Sequence, residues 1–240
     1  MTTKKTIKEI NRGLSNIGNT CYINSLTQCL LHSDKFIESF FKEDTIKILC
    51  KNIIKKDENS EKEIIEGGII NISNLSINLI KKTSYQLYRL LNRILDEESI
   101  LDIKLYVKSI CDKNENFIFG RQNDAQELYI YLINLFKVEL KEKVEVNFNK
   151  NIEKIYNGII ISDILKNKID NLIKMINNDF SSVTIPFLII TKTIISCDCD
   201  YINYSLISNI TLQLEIVGED IYDCLDNYFK EDKCENECSK

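Results

Sequence analysis

Apolar residues recur every three to four positions through much of the first 140 residues, and this period predicts amphipathic helices. A helix is predicted to follow residue 21, and another runs from Ile100 to Cys111. The same spacing continues from Ala125 to Phe136, and a further helix is predicted from Ser162 to Ile176. The inward positions are Ile23, Leu26 and Leu30; Phe36, Ile37, Phe40 and Phe41; Leu87, Leu90, Leu91, Ile94 and Leu95; and Ile103, Tyr106, Val107 and Ile110.

The pattern changes after Ser181, where β-branched and aromatic runs alternate in part. These runs predict three or four antiparallel strands, with Pro186 at a strand end or edge. A short helix capped by Asp220 follows them. The charged run Lys55 to Glu66 is interpreted as a solvated loop. The predicted class is therefore α+β, with a helical part to about residue 140 and a linker and β region over 141–240.

Composition limits the class of protein and the cellular compartment that we expect. The 240 residues are 44% hydrophobic and 28% charged, which is typical of a globular protein, and the net charge of −5 does not favour nucleic-acid binding. The apolar run Ile185 to Ile195 is interrupted by Lys192 and is too short to span a bilayer. The N-terminus has no apolar signal core. We expect an intracellular protein of the cytoplasm or nucleus, in which nine cysteines do not form a disulfide framework.

Cys21 lies where a turn rich in Gly and Asn meets a predicted helix, and Asn19 and Thr20 are suitable N-cap residues. A thiol at a helix N-terminus loses its proton more readily, and the thiolate is the nucleophilic form. Asn16 carries an amide that could stabilise an oxyanion formed by thiolate attack on a carbonyl. The alternative is that Cys21 is an ordinary buried cysteine.

The residues around Cys21 resemble the cysteine box of the ubiquitin-specific proteases, which are papain-like deubiquitinating enzymes. The resemblance implies that Cys21 is the nucleophile and Asn16 the oxyanion-hole side chain. It also implies a papain-like fold of helical thumb, β fingers and palm, and thiol-dependent cleavage after the C-terminal glycine of ubiquitin. The matching positions are Gly13, Leu14, Asn16, Gly18, Asn19, Thr20, Cys21, Tyr22, Asn24, Ser25, Gln28 and Leu30.

A second stretch resembles the family's Gln-x-Asp-x-x-Glu motif through Gln122, Asp124 and Glu127, followed by Leu128. In the family these residues help to hold the C-terminal tail of ubiquitin, which carries arginines. A simpler interpretation is a capping box, in which Asp124 and Glu127 satisfy the first backbone amides of a helix. The two roles are compatible because a carboxylate has several acceptor sites.

Two cysteine pairs resemble those of the family's finger region, which often bind a structural zinc. The resemblance implies a zinc site, although Cys-x-Cys is tighter than the usual pair spacing. The alternative is that these cysteines are unligated. The four candidate ligands are Cys197, Cys199, Cys234 and Cys238.

A cysteine protease needs a base, almost always a histidine. The only histidine of the chain is His32, eleven residues after Cys21, which is about 16 Å along one helix. We therefore predict that His32 is a helix-end residue rather than the base. Nothing in the chain matches the family's His box, so the resemblance covers the thumb and fingers and leaves the palm incomplete.

Three explanations of the missing base are open. The chain is a fragment or truncated product of a longer enzyme, which we favour, or an inactive ubiquitin-binding pseudo-protease, or one of two polypeptides that share the site. A small zinc module without peptidase ancestry is disfavoured by the intact cysteine box. The expected partner in each of the first three cases is ubiquitin or a ubiquitinated protein.

Overall fold

The structure is a computed structural model, and it describes residues 12–41, 44–57, 77–95, 102–144, 163–199 and 202–233. The chain forms two compact units. The first contains Met1–Val144 with Asp179–Pro186, and the second contains Glu145–Asn178 with Phe187–Lys240. Within the described ranges, no helix combines the length and the apolar character needed to cross a bilayer.

Six helices of the first unit have described bounds, and the sequence pattern predicted all of them except the third. The charged run from Lys55 was interpreted as a loop, but its first residues continue a helix that ends at Asp57, and residues 58–66 lie outside the described ranges. The helices are α1 Cys21–Leu31, α2 Asp34–Phe40, α3 Asp44–Asp57, α4 Thr83–Leu95, α5 Lys104–Cys111 and α6 Ala125–Glu139.

The core of the first unit lies where α1 packs against α2 and α6, and where α4 packs against α5 and α6. Phe36 and Phe40 have ring centroids 5.1 Å apart, and both lie within 6.3 Å of the Phe136 ring. All three rings are fully buried. Burying such a side chain contributes about 1.5–3 kcal/mol, so this cluster fixes α2 against α6.

The inward faces predicted for α4 and α5 are confirmed. Leu87, Leu90, Leu91 and Ile94 are buried, as are Tyr106, Val107 and Ile110, while Leu95, which was also predicted to face inward, is half-buried. Ile103 is buried just before α5, which begins at Lys104 rather than near residue 100. Residues 102 and 103 are described and lie outside the helix, so the predicted start at Ile100 is wrong for α5.

The second unit contains α7, Asp163–Asn178, and an antiparallel hairpin of β1, Ile189–Ser196, and β2, Ile202–Asn209. The register pairs Ile189 with Asn209 and Ser196 with Ile202. Helix α7 packs against β2. Helix α8, Ile221–Tyr228, starts with a complete capping box between Asp220 and Asp223, so the predicted cap is confirmed.

The prediction of three or four strands is wrong for the described part of residues 181–233, which forms two. Pro186 lies in a 3₁₀ turn, Ile185–Phe187, directly before β1. Its ring removes a backbone donor and favours such a turn. Residues 210–217 alternate in polarity, yet they form no strand. Alternation makes a segment suitable for a sheet, but a strand also needs a neighbouring strand that supplies backbone hydrogen bonds. The α+β class itself is confirmed.

Candidate active site

Cys21 is the first residue of α1, and its side chain is exposed. The turn before it holds two unusual backbone conformations, since Gly18 has a φ of +121° and Asn19 a φ of +52°. Thr20 occupies the predicted N-cap position, but its side chain does not cap the helix. The Thr20 hydroxyl instead accepts from the Ile17 amide at 3.2 Å.

Asn16 organises this turn through the carbonyl end of its side chain. Its Oδ1 accepts from the Gly18 amide at 3.1 Å, and from the Thr20 amide at 3.1 Å and hydroxyl at 3.3 Å. Three donors therefore fix the orientation of the Asn16 amide plane. Among the described residues Asn16 Nδ2 donates to no protein group, so this exposed N–H pair is available to a developing negative charge.

Two further side chains of α1 hold the segment that leads into the turn, and the sequence reasoning assigned them no role. Asn24 Nδ2 donates to the carbonyls of Leu14 at 3.2 Å and Ser15 at 3.1 Å. Gln28 Nε2 donates to the Arg12 carbonyl at 2.8 Å. Both residues belong to the matched cysteine box, and their polar side chains on an otherwise apolar helix were the signal for this role.

Tyr22, next to the nucleophile candidate, is buried and stacks on Phe117 with centroids 6.3 Å apart. Burial raises the pKa of Tyr22, and the nearby thiols of Cys111 and Cys21 add to the shift when they ionise. Burial, together with Asp112, also raises the pKa of Cys111. Cys111 therefore remains protonated to higher pH than an ordinary thiol.

The second motif surrounds the start of α6, and Gln122, Asp124 and Glu127 are all exposed. Asp124 is the N-cap residue, and its Oδ1 accepts from the amides of Gln126 at 2.6 Å and Glu127 at 3.1 Å. The capping box is incomplete, because the Asp124 amide donates to Asn123 Oδ1 at 2.9 Å instead of to Glu127. The prediction of a reciprocal box is therefore wrong, while the cap itself is present.

The fold brings the two motifs into contact. Asn19 Nδ2 donates to the Gly120 carbonyl at 2.7 Å, although the residues are 101 positions apart. A Cβ on Gly18 would lie 4.0 Å from the Gly120 Cα, so the two backbones approach closely. The exposed thiol of Cys21 and the exposed cap of α6 thus belong to neighbouring segments of one unit.

His32 lies at the opposite end of α1 from Cys21. It is the C-cap residue, it is exposed, and its Nδ1 is 2.8 Å from the Gln28 carbonyl. With a rise of 1.5 Å per residue, the helix separates it from Cys21 by about 16 Å. An imidazole there is beyond hydrogen-bond reach of the thiol.

The candidate zinc ligands are described only in part. Cys197 and Cys199 lie in the turn between β1 and β2, half-buried and exposed respectively. Cys234 and Cys238 lie outside the described residues. Within the described ranges, no group of three or more His, Cys, Asp or Glu side chains could hold a metal ion.

An exposed cysteine starts α1 directly after a turn that Asn16 organises, and that turn contacts the loop before the α6 cap. Comparison with known proteins identifies the family to which this arrangement belongs. The family model for ubiquitin carboxyl-terminal hydrolase matches residues 12–215, and the chain belongs to this family. The family that the sequence resemblance implied is therefore confirmed.

Individual relatives share the family name and are longer than this chain. A probable ubiquitin carboxyl-terminal hydrolase R319 of Acanthamoeba polyphaga mimivirus is 29% identical over 57% of this chain and 34% of its own length. Ubiquitin carboxyl-terminal hydrolase 45 of Homo sapiens is 24% identical over 58% of this chain and 16% of its own. Ubiquitin carboxyl-terminal hydrolase 16 of Danio rerio is 29% identical over 55% of this chain and 15% of its own length. The matches thus span about a third of the relatives' length or less.

A solved structure shares the fold. The SAGA Ubp8/Sgf11/Sus1/Sgf73 DUB module, bound to ubiquitin aldehyde, contains a chain that matches with a TM-score of 0.59 and 18% identity. The match covers all of this chain and 43% of that chain. At this identity the likeness concerns the fold alone, and it confirms the expected ubiquitin-specific protease architecture.

Proposed function

We propose that this chain carries the nucleophile and the substrate-binding part of a thiol-dependent deubiquitinase, which removes ubiquitin by cleavage after its C-terminal glycine. One observation carries the proposal. The exposed thiol of Cys21 starts a helix directly after a turn in which Asn16 Oδ1 is held by three hydrogen bonds. This arrangement combines a nucleophile with an oriented donor, as acyl transfer requires.

The proposed reaction begins when the Cys21 thiolate attacks the carbonyl carbon of the terminal glycine. A sulfur–carbon bond forms, and Asn16 Nδ2, with a backbone N–H near Cys21, stabilises the oxyanion. The isopeptide carbon–nitrogen bond then breaks, the carbonyl re-forms as a thioester, and the lysine amine leaves with a proton taken from solvent. Water then attacks the thioester carbon and gives a proton to solvent, the carbon–sulfur bond breaks, and ubiquitin leaves with a free carboxylate while the Cys21 thiolate is restored.

Substrate binding is proposed for Gln122, Asp124 and Glu127, which would hold the arginine-bearing tail of ubiquitin. Asp124 can serve both as cap and as ligand, because both of its capping bonds are accepted by Oδ1. The second oxygen, Oδ2, is then available to a guanidinium. Such a charge-assisted contact is worth about 1.5–3 kcal/mol.

A second candidate function is ubiquitin binding without catalysis, and the position of His32 favours it. The leaving amine needs a proton and the hydrolytic water needs a base, and general acid–base catalysis contributes about 10²–10⁴-fold in rate. His32 is the only histidine of the chain, and it lies at the far end of α1. Without another imidazole, the 240-residue chain would bind ubiquitin and react slowly.

The deciding experiment uses the purified 240-residue chain with di-ubiquitin and, separately, with a ubiquitin derivative that carries an electrophilic C-terminus. We expect negligible di-ubiquitin cleavage and slow labelling at Cys21, with no labelling in the Cys21→Ala control. Robust turnover that is lost in Cys21→Ala would show that the chain is a complete enzyme and contains another base. Ubiquitin binding without any labelling would support the non-catalytic function.

A further inference from the structure

The segments on either side of Cys21 both contact one loop. We name residues 16–20 the cysteine turn and residues 117–124 the tail loop. On one side, Asn19 Nδ2 of the cysteine turn donates to the Gly120 carbonyl of the tail loop at 2.7 Å. On the other side, the Tyr22 ring stacks on the buried Phe117 ring. The residues before and after the thiol are therefore held against the loop that ends at the α6 cap.

Asn19 is the only non-glycine residue with a positive φ in the described part of the chain. Asparagine enters the left-handed region more readily than most residues, yet it does so as a minority conformer. Unfavourable backbone conformations of this kind persist when surrounding contacts enforce them, and they concentrate at functional sites. Here the flanking amides of Gly18 and Thr20 are held by Asn16 Oδ1, and the Asn19 side chain is held by its hydrogen bond to the Gly120 carbonyl.

The other hydrogen bonds that organise this region are local. Asn16 Oδ1 accepts only from residues within the cysteine turn, and Asn24 and Gln28 bind carbonyls of residues 12–15. Across the described ranges, the Asn19 amide makes the one hydrogen bond that joins the cysteine turn to the tail loop. It adds a directional contact to the packing of α1 against α6 and of Tyr22 against Phe117, which together position the thiol relative to the Asp124 cap.

We infer that Asn19 is a positioning residue of the proposed deubiquitinase. Its amide binds the cysteine turn to the tail loop, so that Cys21 and Asn16 are correctly placed relative to a ubiquitin tail held at Asp124. The inference rests on the proposed function, and it names a residue whose described side-chain hydrogen bond goes to the Gly120 carbonyl. A small misplacement of a nucleophile relative to its bound substrate lowers the reaction rate without weakening binding.

Two variants separate the amide from the backbone conformation. Asn19→Gly keeps easy access to a positive φ but removes the donor. Asn19→Asp keeps the size and the left-handed tolerance, but it opposes the Gly120 carbonyl with an acceptor. Asn134→Ala is the matched control, because Asn134 is an exposed asparagine of α6 outside both segments.

The first measurement is amide hydrogen exchange in the free protein, which does not depend on ubiquitin. We expect faster exchange in residues 117–123 for both Asn19 variants, with exchange within α1 and the melting temperature close to those of Asn134→Ala. In Asn19→Gly, which adds no charge, iodoacetamide should react with Cys21 within about twofold of the wild-type rate, because a small reagent needs no alignment with the tail loop.

The second measurement is labelling by the ubiquitin derivative with an electrophilic C-terminus. For Asn19→Gly the dissociation constant should stay within about twofold, while the limiting labelling rate at saturation falls about three- to tenfold, the loss expected for one neutral hydrogen bond. The limiting labelling rate of Asn19→Asp should fall at least as far, and that of Asn134→Ala should equal the wild-type rate.

Several outcomes would overturn the inference. Unchanged exchange in residues 117–123 would show that the contact does not hold the tail loop. A wild-type limiting labelling rate in Asn19→Gly would exclude the positioning role. So would a variant in which weaker ubiquitin binding and a lower melting temperature accompany the slower labelling. Failure of the proposed function is recognised separately, because then the wild-type protein itself would neither bind nor react with the ubiquitin derivative.

Discussion

At the scale of single residues, Asp124 illustrates how one side chain can serve structure and binding together. Both capping bonds are accepted by Oδ1, at 2.6 Å and 3.1 Å, and Glu127 does not complete a capping box. The cap therefore needs one acceptor oxygen and no negative charge. A proposed arginine ligand needs the charge, so the two roles respond differently to substitution.

We predict that Asp124→Asn keeps the helix cap and weakens ubiquitin binding about tenfold or more, because it removes a charge-assisted contact worth about 1.5–3 kcal/mol. Asp124→Ala should weaken binding equally and also lose about 1 kcal/mol of folding stability, because the cap is gone. Titration with ubiquitin and urea unfolding of both variants provide the test. Wild-type affinity in Asp124→Asn, with instability confined to Asp124→Ala, would leave capping as the only role.

Reactivity with a small electrophile is a second prediction at this scale. Among the nine cysteines, Cys21 should react fastest with iodoacetamide near neutral pH, because the dipole of α1 favours a negative charge at its first residue. Cys29 is the internal control, since it is also exposed on α1 but lies near its other end. Equal rates at Cys21 and Cys29 would contradict the prediction.

Cys111 should lag behind Cys21 in the same experiment, because burial and Asp112 raise its pKa. The alkylation rate follows the fraction of thiolate, so Cys111 needs a higher pH than an ordinary thiol to react quickly. The ratio of the Cys21 rate to the Cys111 rate should therefore decrease in alkali. Peptide mapping of the alkylated protein at several pH values would measure both rates.

At the scale of elements, a buried carboxylate joins the end of α6 to the start of α4. Glu139 is 3% exposed, and its oxygens accept from the amides of Thr83 at 3.3 Å and Ser84 at 2.9 Å. The Lys113 ammonium pairs with the same carboxylate at 2.5 Å. The carboxylate thus supplies two of the backbone acceptors that the start of α4 lacks, and it is itself neutralised.

We predict that Glu139→Gln lowers the free energy of unfolding by about 2–4 kcal/mol, because the Lys113 ammonium loses its carboxylate in a mostly buried site and keeps only the Thr83 hydroxyl at 3.1 Å. Glu38→Gln is the control, since Glu38 pairs with Lys35 where both side chains are largely exposed. That change should stay within about 0.5 kcal/mol. Urea unfolding of both variants is the measurement, and equal losses would contradict the anchoring role of Glu139.

At the scale of the whole molecule, the proposed chemistry and the proposed metal site fall in different units. Cys21, Asn16 and Asp124 lie in the first unit, and Cys197 and Cys199 lie in the second. A zinc bound by Cys197, Cys199, Cys234 and Cys238 would therefore be held by the second unit and would stabilise it.

If these four cysteines bind zinc, the purified chain should contain about one zinc per molecule, and a Cys197→Ser and Cys199→Ser double variant should contain none. Chelation should then lower the melting temperature while leaving Cys21 alkylation unchanged. Cys50→Ser is a suitable control, since Cys50 lies in α3 of the first unit. Protein without zinc after growth in zinc-supplemented medium would favour unligated cysteines.

The sequence by itself determined the features that depend on near neighbours. The helical period located α2 and α4, and the caps at Asp124 and Asp220 were predicted because a cap forms within three residues of its own chain. The family was recognisable from residues 13–30, because the motif that identifies it is one continuous stretch of sequence. The position of His32 at the end of α1 followed from helix length.

Only the tertiary structure decided the features that join distant segments. The Asn19–Gly120 contact spans 101 positions and the Glu139–Ser84 contact spans 55, and no local period marks either pair. The number of strands was overestimated because alternation shows only that a segment could pair, whereas a strand forms where a neighbouring chain supplies hydrogen bonds. Long-range contacts arise from the packing of whole elements, which is why the residues that hold Cys21 against the tail loop became visible only in the folded chain.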